Sequence, residues 1–368
     1  MSPSPPRLSS PSLVLAPPLA SLTLREKIGQ LLNVGFRGCH PAECAVAVRD
    51  IREHGIGGVI LFDQDMTAGS AGRRNIESPG QLRDLLAHFQ SQARIPLLTS
   101  IDQEGGRVNR LKAVYGFPES RSHEELGLID DSANTSRHAT TIAQTLAGVG
   151  LNLNLAPVVD LDAHPDNPII KGKRRSFSAD PEAVARHAAD YIRAHRAQGV
   201  LTCLKHFPGH GSATGDTHLG LVNVTTTWSD RELIPFQCLI AAGLCDVIMS
   251  AHVFNAHLDP DLPATLSRAV ITGLLRARLG YTGVITSDDM EMKAISSHYG
   301  LENSLPLAMN AGIDVLCFGN NLSYHADIAP RAIAILERAV TSGRIPASRI
   351  DESCARVLSL KRKALLIA

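Results

Sequence analysis

The sequence predicts an α/β fold, a single (β/α)8 barrel of the TIM type. Three observations carry this prediction: eight short apolar runs recur along the chain, stretches with helical spacing separate most of them, and polar residues gather just beyond the C-terminal ends of the runs. Strands joined by helical crossovers must be parallel to their neighbours, and fully apolar strands imply a sheet covered on both faces. An open, doubly wound sheet would gather polar residues at one switch point rather than around a ring.

In chain order, ordered structure is expected from Thr23, which with Glu26 forms a capping box ahead of Ile28, Leu31 and Leu32. Strands are expected at Leu31–Phe36, Gly58–Phe62, Leu97–Ile101, Leu151–Leu155, Val200–Leu204, Val247–Ala251, Gly283–Thr286 and Ile313–Phe318. Helical spacing marks Ser136–Leu146, Pro181–Gln198 and Leu266–Leu279, with closing helices at Ala332–Val340 and Ile350–Leu366. Residues 21–368 are therefore read as one barrel domain and the Pro- and Ser-rich residues 1–20 as a disordered tail. An export signal is the alternative for that tail, but two prolines interrupt its apolar piece.

The 368 residues are 44% apolar and 20% charged, an ordinary globular composition. Lys plus Arg and Asp plus Glu each total 36, aromatics are 4%, and no basic stripe occurs, so nucleic acid is not an expected partner. Apolar runs such as Gly57–Phe62 are too short to span a bilayer, so no membrane partner is expected either. The seven cysteines are odd in number and contain no CxxC pair, which reads as buried free thiols in a reducing, cytoplasmic compartment. A monomer or weak oligomer is expected.

Asp102, Asp160, Lys205, His206, His252, Ser287 and Asp288 each fall just after an expected strand, on the rim where barrel active sites form. The segment from Lys205 to His218 (KHFPGHGSATGDTH) is a glycine-rich loop on this rim. In one reading His218 is a general acid/base oriented by Asp216. In a second, His206, His210, Asp216 and His218 are metal ligands; in a third they are structural. Asp288 and Asp289 end another strand, where one carboxylate would be a nucleophile or both would cap the next helix. In Asp102-Gln103-Glu104-Gly105-Gly106-Arg107 the glycines would let backbone approach a ligand, while Asp160 and Asp162 would bind sugar hydroxyls or serve as loop carboxylates.

From about Leu24 to Leu366 these segments resemble family-3 glycoside hydrolases, specifically the single-domain β-N-acetylglucosaminidases. The resemblance is carried by Asp102–Val108, Ala156-Pro157-Val158-Val159-Asp160, Arg175-Ser176-Phe177, Lys205–Gly211, Asp216-Thr217-His218 and Ser287-Asp288-Asp289-Met290. It implies a retaining mechanism with Asp288 as nucleophile, His218 as acid/base and Asp216 as its orienting carboxylate. Asp102, Arg175, Lys205 and His206 are then sugar-binding residues, and neither metal nor cofactor is implied. The implied substrate is terminal β-N-acetylglucosamine, released from peptidoglycan fragments such as 1,6-anhydro-muropeptides in cell-wall recycling.

Three segments depart from the family pattern. Lys171-Gly172-Lys173-Arg174 is longer and more basic, Thr217 replaces a serine, and Gly116–Ser122 differs. These changes fall on the substrate rim, and the added basic residues fit either an anionic aglycone or a solvated loop. Another hexosaminide, phosphate in place of water, a metal-dependent barrel hydrolase and a sugar-binding barrel without catalysis are the competing readings.

Overall fold

The computed structural model describes residues 17–67, 72–364 and 366. Aliphatic and β-branched runs give the strands β1 (Leu32–Gly35), β2 (Gly58–Leu61), β3 (Leu98–Ile101), β4 (Leu153–Asn154) and β5 (Leu201–Phe207). After these come β6 (Val222–Asn223), β7 (Val247–Ser250), β8 (Val253–Phe254), β9 (Val284–Asp289) and β10 (Val315–Phe318). Eight of them close a parallel barrel in the order β1-β2-β3-β4-β5-β7-β9-β10, with β10 returning to β1. The two-residue strands β6 and β8 pair beside it, outside the barrel. Each of the eight expected runs supplies one barrel strand.

The capping box forms as expected: Thr23 Oγ1 accepts from the Glu26 amide, and the Glu26 carboxylate accepts from the Thr23 amide. Residues 1–16 of the expected tail lie outside the described residues, and Leu19–Ser21 form a 3-10 turn ahead of that cap. Helices at Ser132–Gly148, Pro181–Arg196, Ile328–Thr341 and Ala347–Lys363 cover the expected helical stretches. The stretch expected at Leu266–Leu279 differs in kind, because Ala269–Arg278 is π-helical and the Leu279 amide donates five residues back to Leu274. Val270, Ile271, Leu274 and Leu275 are buried, and an apolar stripe at that spacing suits either winding.

The base of the barrel is fastened by one device used three times. A buried polar residue just before a strand reaches across to a backbone amide of the neighbouring strand. Asn152 Oδ1 accepts from Thr99 N at 2.9 Å, Asp246 Oδ2 from Thr202 N at 3.1 Å, and Asp314 Oδ2 from Ile285 N at 3.0 Å. Asp314 also accepts from Arg276 at 2.5 Å, Arg349 at 2.9 Å, Arg356 at 3.0 Å and Ser353 Oγ at 2.7 Å. One carboxylate thus joins two strands, the π-helix and the C-terminal helix. Removing it strands three guanidinium groups without their shared anion.

The opposite rim is shaped by the segment after β5. Asn167 Nδ2 donates to His210 O at 2.8 Å and to Gly211 O at 2.9 Å, while the Ala294 amide holds Thr217 O at 3.2 Å. Gly209 has φ +124°, and a Cβ there would lie 2.6 Å from Glu232, so glycine is required by both strain and space. Glu232 is buried beneath the turn and accepts from the Gly211 amide at 2.8 Å. Burial pushes its carboxyl up to about 7, with Asp160 adding to the effect against hydrogen bonds from Ser212 and Gly211.

Two stability predictions follow from these anchors. Asp314→Ala should cost about 3–5 kcal/mol in urea unfolding, as expected for breaking one side of a buried ion cluster. Glu232 has a raised folded-state pKa, so its contribution is complete below the ordinary carboxyl range and is lost as pH rises through about 7. Glu232→Gln should therefore flatten the dependence of the thermal midpoint on pH between pH 5 and pH 8; an unchanged slope would show that another group sets it.

Candidate active site

Bulges at two strand ends build the floor of the rim. The β5–β7 register shifts between Leu204 and Phe207, and the β9–β10 register shifts between Val315 and Cys317. Successive residues of a regular strand face opposite sides, but here Lys205 and His206 both line one cavity, as do Asp288 and Asp289. The strands also run further than the sequence suggests, to Phe207 and Asp289, because their charged ends are satisfied by partners on neighbouring strands. The cavity measures about 770 Å³, and Asp102, Arg175, Lys205, His206, Asp216, His218 and Asp288 all line it.

On its floor, buried charges alternate in sign. Asp102 accepts from Lys205 Nζ at 2.6 Å, and Lys205 also lies 2.7 Å from Glu104. Glu104 receives both arms of Arg175, each at 2.8 Å, and Arg175 Nη2 donates to His206 Nε2 at 3.3 Å. His206 Nδ1 in turn donates to Asp160 at 2.6 Å, since Arg175 can only donate and leaves Nε2 as the acceptor. Burial would raise the Glu104 pKa, but Arg175 and Lys205 hold it well below the usual range. The same pairing reverses the effect of burial on Lys205, where Asp102 and Glu104 raise the pKa.

Each charge on this floor is held by its own scaffold. Gly105 and Gly106 turn the chain after β3 with φ of +104° and +59°, where a Cβ at Gly105 would lie 2.1 Å from Arg121 O. Gln103 Oε1 accepts from the Arg110 and Leu111 amides at 3.0 Å, folding Arg110 into the cavity wall 3.8 Å from Asp102. Arg175 is set by its successors: Ser176 Oγ donates to Asp160 O at 2.7 Å, and Phe177 stacks on His123 with ring centroids 4.2 Å apart.

Asp216 and His218 form a dyad within three residues. Asp216 Oδ1 accepts from the His218 amide at 2.9 Å and from its Nδ1 at 2.7 Å, an Asx-type turn that explains the Asp-x-His spacing. Nε2 of His218 is left free for chemistry. Burial raises the Asp216 pKa, but hydrogen bonds from His218 and the charge of Lys173 bring it below the ordinary value. On the other side of the cavity, Asp288 accepts from the Asp289 amide at 2.8 Å and makes no ion pair among the described residues. Burial pushes its carboxyl up, yet His252, His206, His218 and that amide bring it down to about 2, so it is ionised across the working pH range. Asp289 is pushed the other way by burial and by Glu291, and it accepts from the amides of Glu291 and Gly319. The two adjacent carboxylates therefore differ in kind, one a free anion and one a backbone staple.

Several expectations are corrected here. Asp160 does not reach the cavity: it is buried behind His206 and accepts from the His206 and His210 amides, so it organises the turn. Asp162 faces outward to Lys171 at 2.5 Å. His252 lies beneath the rim, and Ser287 Oγ accepts from the Cys317 amide within the barrel wall. The four residues considered as metal ligands do not converge, because both ring nitrogens of His206 are engaged and His218 Nδ1 is held by Asp216. Of the added basic residues, Lys171 and Arg174 pair with Glu124, leaving Lys173 to line the cavity. Lys173 belongs to the basic segment already noted on the substrate rim, whereas Arg110 and Lys293 are cavity residues that the sequence reading passed over; the only signal for Arg110 was its place on the return of the Gly-Gly turn.

Residues 23–360 match the model of the glycosyl hydrolase family 3 N-terminal domain. β-Hexosaminidase A from Pseudoalteromonas piscicida is 31% identical over 379 aligned residues, which cover 93% of this chain and 61% of that protein. Among solved structures, a family-3 β-N-acetylglucosaminidase from Paenibacillus sp. superposes with a TM-score of 0.85 at 38% identity, covering 94% of this chain and 63% of that one. A β-N-acetylhexosaminidase from Beutenbergia cavernae superposes with a TM-score of 0.82 at 32% identity, covering 93% of this chain and 99% of that one. The chain thus spans less than two thirds of the first two relatives and nearly all of the third. By its sequence, its barrel and the residues on its rim, the chain belongs to glycoside hydrolase family 3.

Proposed function

We propose that the chain is a retaining exo-β-N-acetylhexosaminidase, acting on terminal β-N-acetylglucosamine. The observation that carries this reading is the shared cavity of an ionised carboxylate without an ion-pair partner, Asp288, and a histidine with one free ring nitrogen, His218. The names of the three relatives support the same reaction and sugar class.

In the first half-reaction an Asp288 oxygen attacks the anomeric carbon while His218 Nε2–H protonates the departing glycosidic oxygen. Asp216 holds Nδ1–H throughout, fixing the ring and offsetting its charge when protonated. In the second, water attacks the same carbon, its proton passes to His218 Nε2, and the bonding pair returns to Asp288. Asp102, Arg175, Lys205 and Arg110 offer fixed donors and acceptors for the hydroxyl groups of one terminal sugar, and His206, with both ring nitrogens engaged, lines the site and orients Arg175.

The finer reading concerns the leaving group. Lys173 and Lys293 line the cavity and belong to none of the ion pairs found among the described residues, which favours an aglycone bearing carboxylates. A 1,6-anhydro-muropeptide meets that description, and cell-wall recycling in the cytoplasm is the setting we assign to it.

Hydrolysis of para-nitrophenyl β-N-acetylglucosaminide, with the β-glucoside as control, tests the reaction. Asp288→Ala should abolish turnover, and His218→Ala should lower kcat by roughly 10²- to 10⁴-fold on substrates with poor leaving groups, less on the activated phenol. Failure of the wild type on both substrates, with or without phosphate, would remove the assignment. For the aglycone, Lys173→Ala should raise KM by roughly two- to fivefold for a muropeptide, an effect that fades with salt, and leave the phenyl substrate unchanged. Equal effects on both substrates would place Lys173 outside aglycone recognition.

A further inference from the structure

His252 lies two residues beyond β7, is fully buried, and does not line the cavity. Its Nε2 is 3.0 Å from the carbonyl oxygen of Asp289, and its Nδ1 is 2.8 Å from Thr265 Oγ1. Thr265 Oγ1 is also 2.8 Å from Ala251 O and 2.8 Å from Ser250 Oγ. The protons around these atoms can be counted. A carbonyl only accepts, so the single Thr265 proton goes to Ala251 O. The Thr265 lone pairs then take protons from Ser250 and from His252 Nδ1. On its other side the ring faces a second carbonyl, so Nε2 must donate as well. Both nitrogens donate only in the imidazolium.

We propose that His252 is a buried imidazolium and a positioning residue, which fixes the end of β9 and supplies the positive charge against which the nucleophile Asp288 departs from the sugar. The proposal rests on the reading of Asp288 as the nucleophile. In the second half-reaction the bond between the anomeric carbon and the Asp288 oxygen breaks and its electron pair returns to the carboxylate. A fixed cation held against the backbone of the next residue stabilises the charge as it develops, without any reorganisation of solvent. His252 is also foremost among the groups that favour the ionised form of Asp288.

The groups facing the ring oppose one another. On balance burial, joined by His218 and His206, carries its pKa below the ordinary histidine value, against the opposing pull of Asp288 and the Asp289 carbonyl. Against that lowering, the bonding pattern favours the charged ring: in a neutral imidazole one ring nitrogen turns its lone pair toward an acceptor, either the Asp289 carbonyl, which also accepts from the Met292 amide at 3.0 Å, or the Thr265 hydroxyl oxygen.

Two measurements test this. In two-bond ¹H–¹⁵N spectra of the labelled wild type at pH 6, both His252 nitrogens should resonate as protonated; an unprotonated nitrogen would overturn the proposal. This reading needs no activity and no variant that folds. In the second, a 5-fluoro N-acetylglucosaminyl fluoride is used to trap the enzyme, and reactivation is followed by intact mass. His252→Gln keeps a donor for the carbonyl but loses the charge, so reactivation should slow by about tenfold, the equivalent of one pKa unit on Asp288. Reactivation at the wild-type rate would refute the electrostatic role. Labelling of no residue, or of one other than Asp288, would instead defeat the assignment of the nucleophile and leave the protonation result standing.

Discussion

Everything on the rim depends on the pairing of buried charges. A carboxylate or ammonium removed from water needs an opposite charge and hydrogen bonds, or it neutralises itself. In the row Asp160, His206, Arg175, Glu104, Lys205 and Asp102 the last four alternate in charge and the neutral His206 ring bridges Asp160 to Arg175, with links between 2.6 and 3.3 Å. Its members come from the ends of β3 and β5 and the loop after β4, so the pairing also sets the spacing of those segments. Because each charge has its partner, a sugar meets a rigid array of donors and acceptors that is already oriented. Asp288 stands outside the row; its Oδ1 accepts from the Asp289 amide, and its Oδ2 has no hydrogen-bond partner among the described residues.

The two ends of the barrel solve different problems with similar residues. At the base, Asn152, Asp246 and Asp314 spend their oxygens on amides and guanidinium groups, and stability is the result. At the rim, Asp289 spends its oxygen in the same way on the Gly319 amide beyond the neighbouring strand, while Asp288, one residue earlier, meets only the amide of the residue beside it. The difference between a structural and a reactive carboxylate here is a matter of which backbone amides lie within reach.

Much of this was legible in the sequence, because apolar runs and polar strand ends are local signals. All eight barrel strands and the cavity positions of Asp102, Arg175, Lys205, His206, Asp216, His218 and Asp288 could be read. What could not be read depends on distant partners. Asp160 and Asp102 both follow strands, and only the burial of His206 between Asp160 and Arg175 separates the organiser from the cavity carboxylate. The π-helical winding of Ala269–Arg278 shares its apolar stripe with an α-helix, and Arg110 enters the wall only because Gln103 folds the chain back. Glu232, 21 residues away from Gly211, gives no local sign that it supports the turn.

The small ribbon beside the barrel links parts that are otherwise separate. β6 begins four residues after His218, and β8 begins immediately after His252. Val222 pairs with Val253 and Asn223 with Phe254. His218 and His252 are therefore stitched to opposite sides of one seam. The same two rungs that fasten the chain after the glycine-rich arm also fasten the chain after His252, so the placement of one histidine is tied through backbone to the placement of the other.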